Sequence, residues 1–130
     1  MSTSPNREAG YWRTGAVATT ATTFRPLTGL QSTVCSTGEV AAMVSVNGVG
    51  SPMDLQVHMD GGPILQPGRV TFSPTPSGSM AMFTFLISTS AFEANDHHMV
   101  QVERRSTTGR QTSVRSATLN LLYREGTHQC

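Results

Sequence analysis

A chain of 130 residues suffices for one domain with a real core and is too short for two. With 13% charged residues and a net charge of +1, it has no basic field to gather nucleic acid or anionic lipid, so neither is expected as a partner. Hydrophobic residues make up 37%, and the 18 Thr, 14 Ser, 12 Gly and 7 Pro favour strands and turns over helices.

All nine basic residues are Arg, and their scatter along the chain points to the codon bias of a GC-rich genome rather than to a set of guanidinium contacts. No apolar run approaches the length of a membrane helix, and Met1 to Gly10 lacks the hydrophobic stretch of a signal peptide. A soluble chain with no membrane partner is expected.

Residues 1–15 read as an N-terminal arm. They are polar or small except for Tyr11-Trp12-Arg13, and large aromatics at the end of an arm anchor it to something, so Arg7, Tyr11, Trp12 and Arg13 are candidate assembly contacts. A first strand is expected at Ala16 to Phe24, closing at Arg25-Pro26. In a second, Val40, Ala42, Val44 and Val46 alternate with Glu39, Ala41, Met43 and Ser45, and the run stops at Asn47-Gly48. The clearest period-two signal is Met53 to Met59. There Met53, Leu55, Val57 and Met59 alternate with Asp54, Gln56 and His58 before the turn Asp60-Gly61-Gly62.

Pro63 to Gly78 holds four prolines, which confine the short strand Arg69 to Ser73 to an edge or loop. Met80 to Ile87 is apolar on both faces, with Phe83, Phe85 and Ile87 on one side and Met80 and Met82 on the other. That pattern predicts a central strand covered twice. Val100 and Val102 alternate with Gln101 and Glu103 ahead of a charged tip, Arg104-Arg105, and the turn Thr107-Thr108-Gly109. The last strand is Ser113 to Tyr123, with Leu119, Leu121 and Tyr123 on one face. Residues 16–124 are therefore expected to form one all-β, antiparallel β-sandwich, jelly-roll or Ig-like, of six to seven strands, followed by a C-terminal tail, 125–130. Phe83, Phe85, Leu119 and Leu121 should share its core, each worth ~2 kcal/mol when buried.

Few residues carry chemistry. Asp96-His97-His98, with Asp54, His58 and Asp60, has the types that ligate zinc. Neighbours on a strand face opposite ways, however, so one imidazole is expected to pack and the other to meet water, with no metal bound. No Gly-x-Ser-x-Gly elbow is present, and Asp54 and His58 share a face but stand about 13 Å apart along it. Gly48-Val49-Gly50 and Gly61-Gly62 lack the Lys and following helix of a phosphate cradle. Neither enzymatic activity nor a cofactor is expected. Asp54, Gln56 and His58, and the group Asp96, His97 and His98, are candidate ligand-facing residues whose amide, carboxylate and imidazole groups suit sugar hydroxyls; a plain solvated face would look the same. Cys35 and Cys130 are 95 residues apart and fit neither a zinc knuckle nor a redox pair. Two free thiols are expected, with a disulfide the alternative.

Four stretches, FRPLTGLQSTV, MDLQVHMDGGPI, HHMVQVERRSTTG and ATLNLLY, resemble small β-sandwich modules of bacterial and phage proteins. In those modules a strand ends in an Asp-Gly turn, held here by Asp60-Gly61, and a later strand opens with a His followed by alternating Val, held here by His98, Val100 and Val102. The resemblance spans residues 24–123. It implies a virion decoration or tail-associated protein located in the virion, a homo-oligomer bound to itself or to a capsid or tail protein. The alternatives are a carbohydrate-binding module with a glycan partner and, for location, the cytoplasm.

Overall fold

In the computed structural model of the chain, residues 6–60, 62, 64–88 and 96–125 are described, the side chains of 6–14, 36–38, 96 and 124–125 excepted. Seven strands follow in order: β1 Asn6–Thr19, β2 Arg25–Gly50, β3 Met53–Met59, β4 Val70–Phe72, β5 Ser79–Ile87, β6 Asp96–Ser106 and β7 Thr112–Glu125. Every pairing is antiparallel, and no helix occurs among the described residues.

The 26-residue β2 serves two sheets. Its first half pairs with β6, from Arg25 opposite Arg104 to Ser36 opposite Asp96. Its second half, from Val40 onward, lies between β7 and β5. The register breaks between Ser36 and Val40, where the strand leaves one sheet for the other. One sheet is thus β2(25–36)-β6-β3-β4, called here the β6 sheet, and the other is β1-β7-β2(40–50)-β5, the β7 sheet. Two four-stranded sheets, interleaved in chain order and sharing one strand, make a jelly roll, which settles the choice against an Ig-like sandwich.

The core lies between the sheets and follows the period-two pattern. Val40, Ala42, Val44 and Val46 of β2 meet Met53, Leu55, Val57 and Met59 of β3, Val100 and Val102 of β6, and Leu119 and Leu121 of β7 in one buried cluster. Phe85 is buried there too, and Phe83 packs against the cluster from its margin. The Phe83 ring meets that of Phe72 edge-on, with centroids 6.3 Å apart, joining β5 and β4, the margins of the two sheets. Gly48 lets the sheets close at this end, since a Cβ there would stand 3.0 Å from the tips of both Met53 and Phe72. At Gly50 the chain turns toward β3 with φ +102°, and a Cβ would lie 2.8 Å from the Gln111 carbonyl.

Several expectations are corrected. β1 begins at Asn6 rather than Ala16 and pairs with β7 as far as Asn6 opposite Arg124, so residues 6–15 belong to the sheet and not to a free arm. The ladder is built from backbone groups, and a polar, Gly-containing sequence can complete it without apolar alternation. Residues 1–5 and 126–130, the rest of the expected arm and most of the expected tail, lie outside the described residues. The β2 ladder does not stop at Asn47-Gly48 but continues to Gly50 opposite Thr112.

β5 is not central. Its only strand partner among the described residues is β2, and Met80 and Met82 are 70% and 68% exposed, because the side of the sheet they occupy faces away from the core. Arg104 is no tip either. It continues the inward series Val100, Val102 and is only 4% exposed. Its Nη1 donates to the carbonyls of Val17 on β1, at 3.0 Å, and Thr112 on β7, at 3.4 Å, tying the two sheets together through the core. Cys35 is disulfide-bonded rather than a free thiol. The only other cysteine in the sequence is Cys130, which lies outside the described residues.

Replacing Arg104 with Met keeps the bulk but removes the donor from two inward carbonyls, at an expected cost of about 2 kcal/mol. Urea unfolding should register that loss, whereas Arg110→Met, in the exposed turn before β7, should change stability by less than about 0.5 kcal/mol.

Candidate functional site

The antiparallel register of β3 and β6 sets Asp54 opposite Arg105, Gln56 opposite Glu103 and His58 opposite Gln101 on the outer face of the β6 sheet. Gln31 of β2 stands opposite Gln101 on the other side. These side chains bond to one another. Arg105 Nε donates to Asp54 Oδ2 at 2.9 Å, and the Thr71 hydroxyl donates to Asp54 Oδ1 at 2.7 Å. The Arg105 guanidinium also lies over the Phe24 ring, 4.5 Å from its centroid. Glu103 Oε1 accepts from the Gln56 amide at 2.7 Å and stands 3.2 Å from His58 Nε2. The Gln101 amide donates to Gln31 at 3.1 Å. Asp54 is only 3% exposed. Burial pushes its carboxyl up, but hydrogen bonds from Thr71 and Arg105, the Arg105 charge and a hydrogen bond from Thr107 outweigh this and hold it below the usual carboxylate range.

A second cluster closes the end of β3. Asp60 adopts φ +56°, unusual for a residue with a side chain, and bonds to β6 through both its backbone N–H and its carboxylate. Its N–H donates to the Met99 carbonyl at 2.8 Å, its Oδ1 accepts the Met99 N–H at 2.8 Å, and its Oδ2 lies 2.5 Å from His98 Nδ1. Burial raises the Asp60 pKa, yet the hydrogen bonds from His98 and Met99 and the charges of His98 and His58 bring it below its ordinary value. His98 is buried and His97 exposed, the opposite facing expected of neighbours on a strand.

Of the candidate ligand-facing residues, Asp54, Gln56 and His58 share one face, and His98 joins the cluster at its end through Asp60. His97 lies apart, opposite Cys35, and Asp96 is placed only as a strand residue opposite Ser36. Among the described residues no three His, Cys, Asp or Glu side chains converge as a metal set would. Arg7, Tyr11, Trp12 and Arg13 lie on β1 opposite Tyr123, Leu119, Thr118 and Ala117, and their side chains fall outside the described part. The sequence pattern does not mark Glu103, Arg105, Thr71 and Phe24 as partners of these residues. The alternation of Gln101, Glu103 and Arg105 with Val100 and Val102 marks them as outward residues, but only the β3–β6 register says whom they meet.

The outer face of the β7 sheet has the opposite character. Met43, Met80, Met82, Leu86 and Leu122 are all exposed there. Beside it an open groove of about 300 Å³ is lined by Glu39, Ile64, Gln66, Leu86, Ile87 and Ser88.

No protein-family model matches the chain, and no curated protein matches it by sequence. Among solved structures, VP2 of infectious bursal disease virus in a subviral particle is similar in fold over 98% of this chain, with a TM-score of 0.63 and 10% identity. The chain spans 35% of the length of that protein.

Both lowered carboxyl pKa values stabilise the fold fully above the ordinary carboxylate value of about 4, and that contribution is lost as pH falls through the lower folded values. Thermal unfolding from pH 7 down to pH 3 should therefore show an acid-side fall in stability. Asp54→Asn should cost about 2 kcal/mol at pH 7 by stripping Arg105 of its partner, and should flatten the acid-side fall. Parallel acid profiles for the variant and the wild type would rule Asp54 out as a contributor.

Proposed function

We propose that this chain is a non-enzymatic structural protein of a viral particle, a phage capsid decoration or related virion protein, located in the virion and associating with itself or with a capsid or tail protein. The observation that carries the reading is the likeness of fold to a viral capsid protein along almost the whole chain. Jelly rolls also serve as lectins, so the surfaces have to discriminate. The groups best suited to sugar hydroxyls, Asp54, Gln56 and His58, already engage Arg105, Thr71 and Glu103. A sugar would have to displace those bonds. The exposed Met and Leu side chains on the opposite face favour contact with protein instead. The disulfide at Cys35 suits an oxidising setting such as a virion surface.

Sedimentation velocity on the full chain, alone and with purified particles, tests the reading. A defined homo-oligomer, or co-sedimentation with particles, is expected. A strict monomer that binds no particle overturns it, and retention of that monomer on a glycan array would point to the carbohydrate-binding alternative.

A further inference from the structure

We infer that the free margin of β5 is a self-association edge, where β5 of a second copy pairs antiparallel about a two-fold axis at Met82 and extends the β7 sheet across both molecules. The inference rests on the proposed function only in taking the chain to be one that associates with copies of itself.

The backbone defines what can bind there. Ala81, Phe83, Phe85 and Ile87 alternate along β5 with Met80, Met82, Thr84 and Leu86, and in an antiparallel strand every second residue turns both its N–H and C=O away from the neighbour. Which set faces outward is fixed at Leu86, whose N–H and C=O bond to Gln66 across the margin at 2.8 and 2.7 Å. Met80, Met82 and Thr84 share its parity, and among the described residues β2 is the only strand β5 pairs with. Their outward N–H and C=O groups are thus a row of donors and acceptors offered to an extended chain.

Nothing in the sequence guards this edge. Ser79 to Ile87 reads SMAMFTFLI, with no charge, no proline and no bulge in its register with β2. These are the devices that usually keep a sheet edge from pairing. The same strand carries Met80 and Met82, which are largely exposed, and Leu86, 48% exposed, on the outer face beside Met43.

Three features select a second β5 as the occupant. The open window is short, bounded by the Gln66 bridge at Leu86 and by the turn at Thr75–Gly78, where the Gly78 N–H donates to the Thr75 carbonyl at 3.0 Å. A two-fold axis at Met82 sets Met82 opposite itself, Met80 opposite Thr84 and Ser79 opposite Phe85. Each copy's Gln66 then falls beyond the end of the other's strand. The outer face becomes one uncharged apolar stripe from both copies, and the repeated contact is isologous and closes on itself.

The test is the oligomeric state of the full chain in Met82→Lys and Met82→Cys variants. Met82 is exposed, so Lys is tolerated by the fold, which an unchanged circular dichroism spectrum and thermal midpoint would verify. In the pairing it sets two ammonium groups face to face. Sedimentation equilibrium should show self-association weakened at least tenfold. Under mild oxidation Met82→Cys should cross-link two copies, while Thr84→Cys, far from its own mate in this register, should not. A folded Met82→Lys that associates as the wild type does overturns the inference, and if that variant still docks on particles the proposed function stands without it. A wild type that stays monomeric but docks on particles overturns the inference alone, and one that stays monomeric and binds no particle overturns both.

Discussion

A single strand belongs to both sheets, and most of the molecule follows from that. β2 pairs with β6 up to Ser36 and with β7 and β5 from Val40, so the layers are tied by covalent backbone as well as by packing. Each half exposes one side of its pleat to the same interior. Val34 and Val40, on either side of the break, are both buried in the shared core. A slip of one residue in either half would turn its apolar series outward, so burial pins the register of both sheets at once. β5, β6 and β7 pair directly with β2, and β1, β3 and β4 extend the two sheets from β7 and β6, which gives the jelly-roll order.

Polar groups are drawn into this frame under strict conditions. Arg104 enters the interior because carbonyls of β1 and β7 await its guanidinium, and so a cation serves as a tie between layers. Asp54 lies almost fully buried on the outer face of the other layer, held by Arg105 and Thr71. The two adjacent arginines thus face opposite sides of β6, one through the core and one across the surface.

The two outer faces differ in how much of their bonding capacity is spent. On the β6 sheet the polar groups pair with one another in three sets, Arg105 with Asp54, Gln56 and His58 with Glu103, and Gln101 with Gln31. On the β7 sheet an apolar surface ends at a margin whose backbone groups point outward. Association of a jelly roll through such a margin would use sheet hydrogen bonding for direction and methionine, a pliable side chain, for contact.

Composition and period-two alternation determined by themselves that this is an all-β sandwich, that Met53, Leu55, Val57 and Met59 line its core, and that His97 and His98 face opposite ways. Those features depend only on neighbours along one strand. Other features depend on which strand lies beside which, and that is a long-range choice. Met80 to Ile87 reads as doubly covered because an apolar outer face looks the same whether a layer lies over it or not. Asn6 to Gly15 reads as an arm because a backbone ladder needs no apolar pattern. Glu103 and Arg105 gain their partners only through the register of β6 against β3, and the disulfide at Cys35 depends on which cysteine the fold brings beside it. Alternation along the chain set the inside and outside of each strand, and only the assembled sheets decided which outside remains bare.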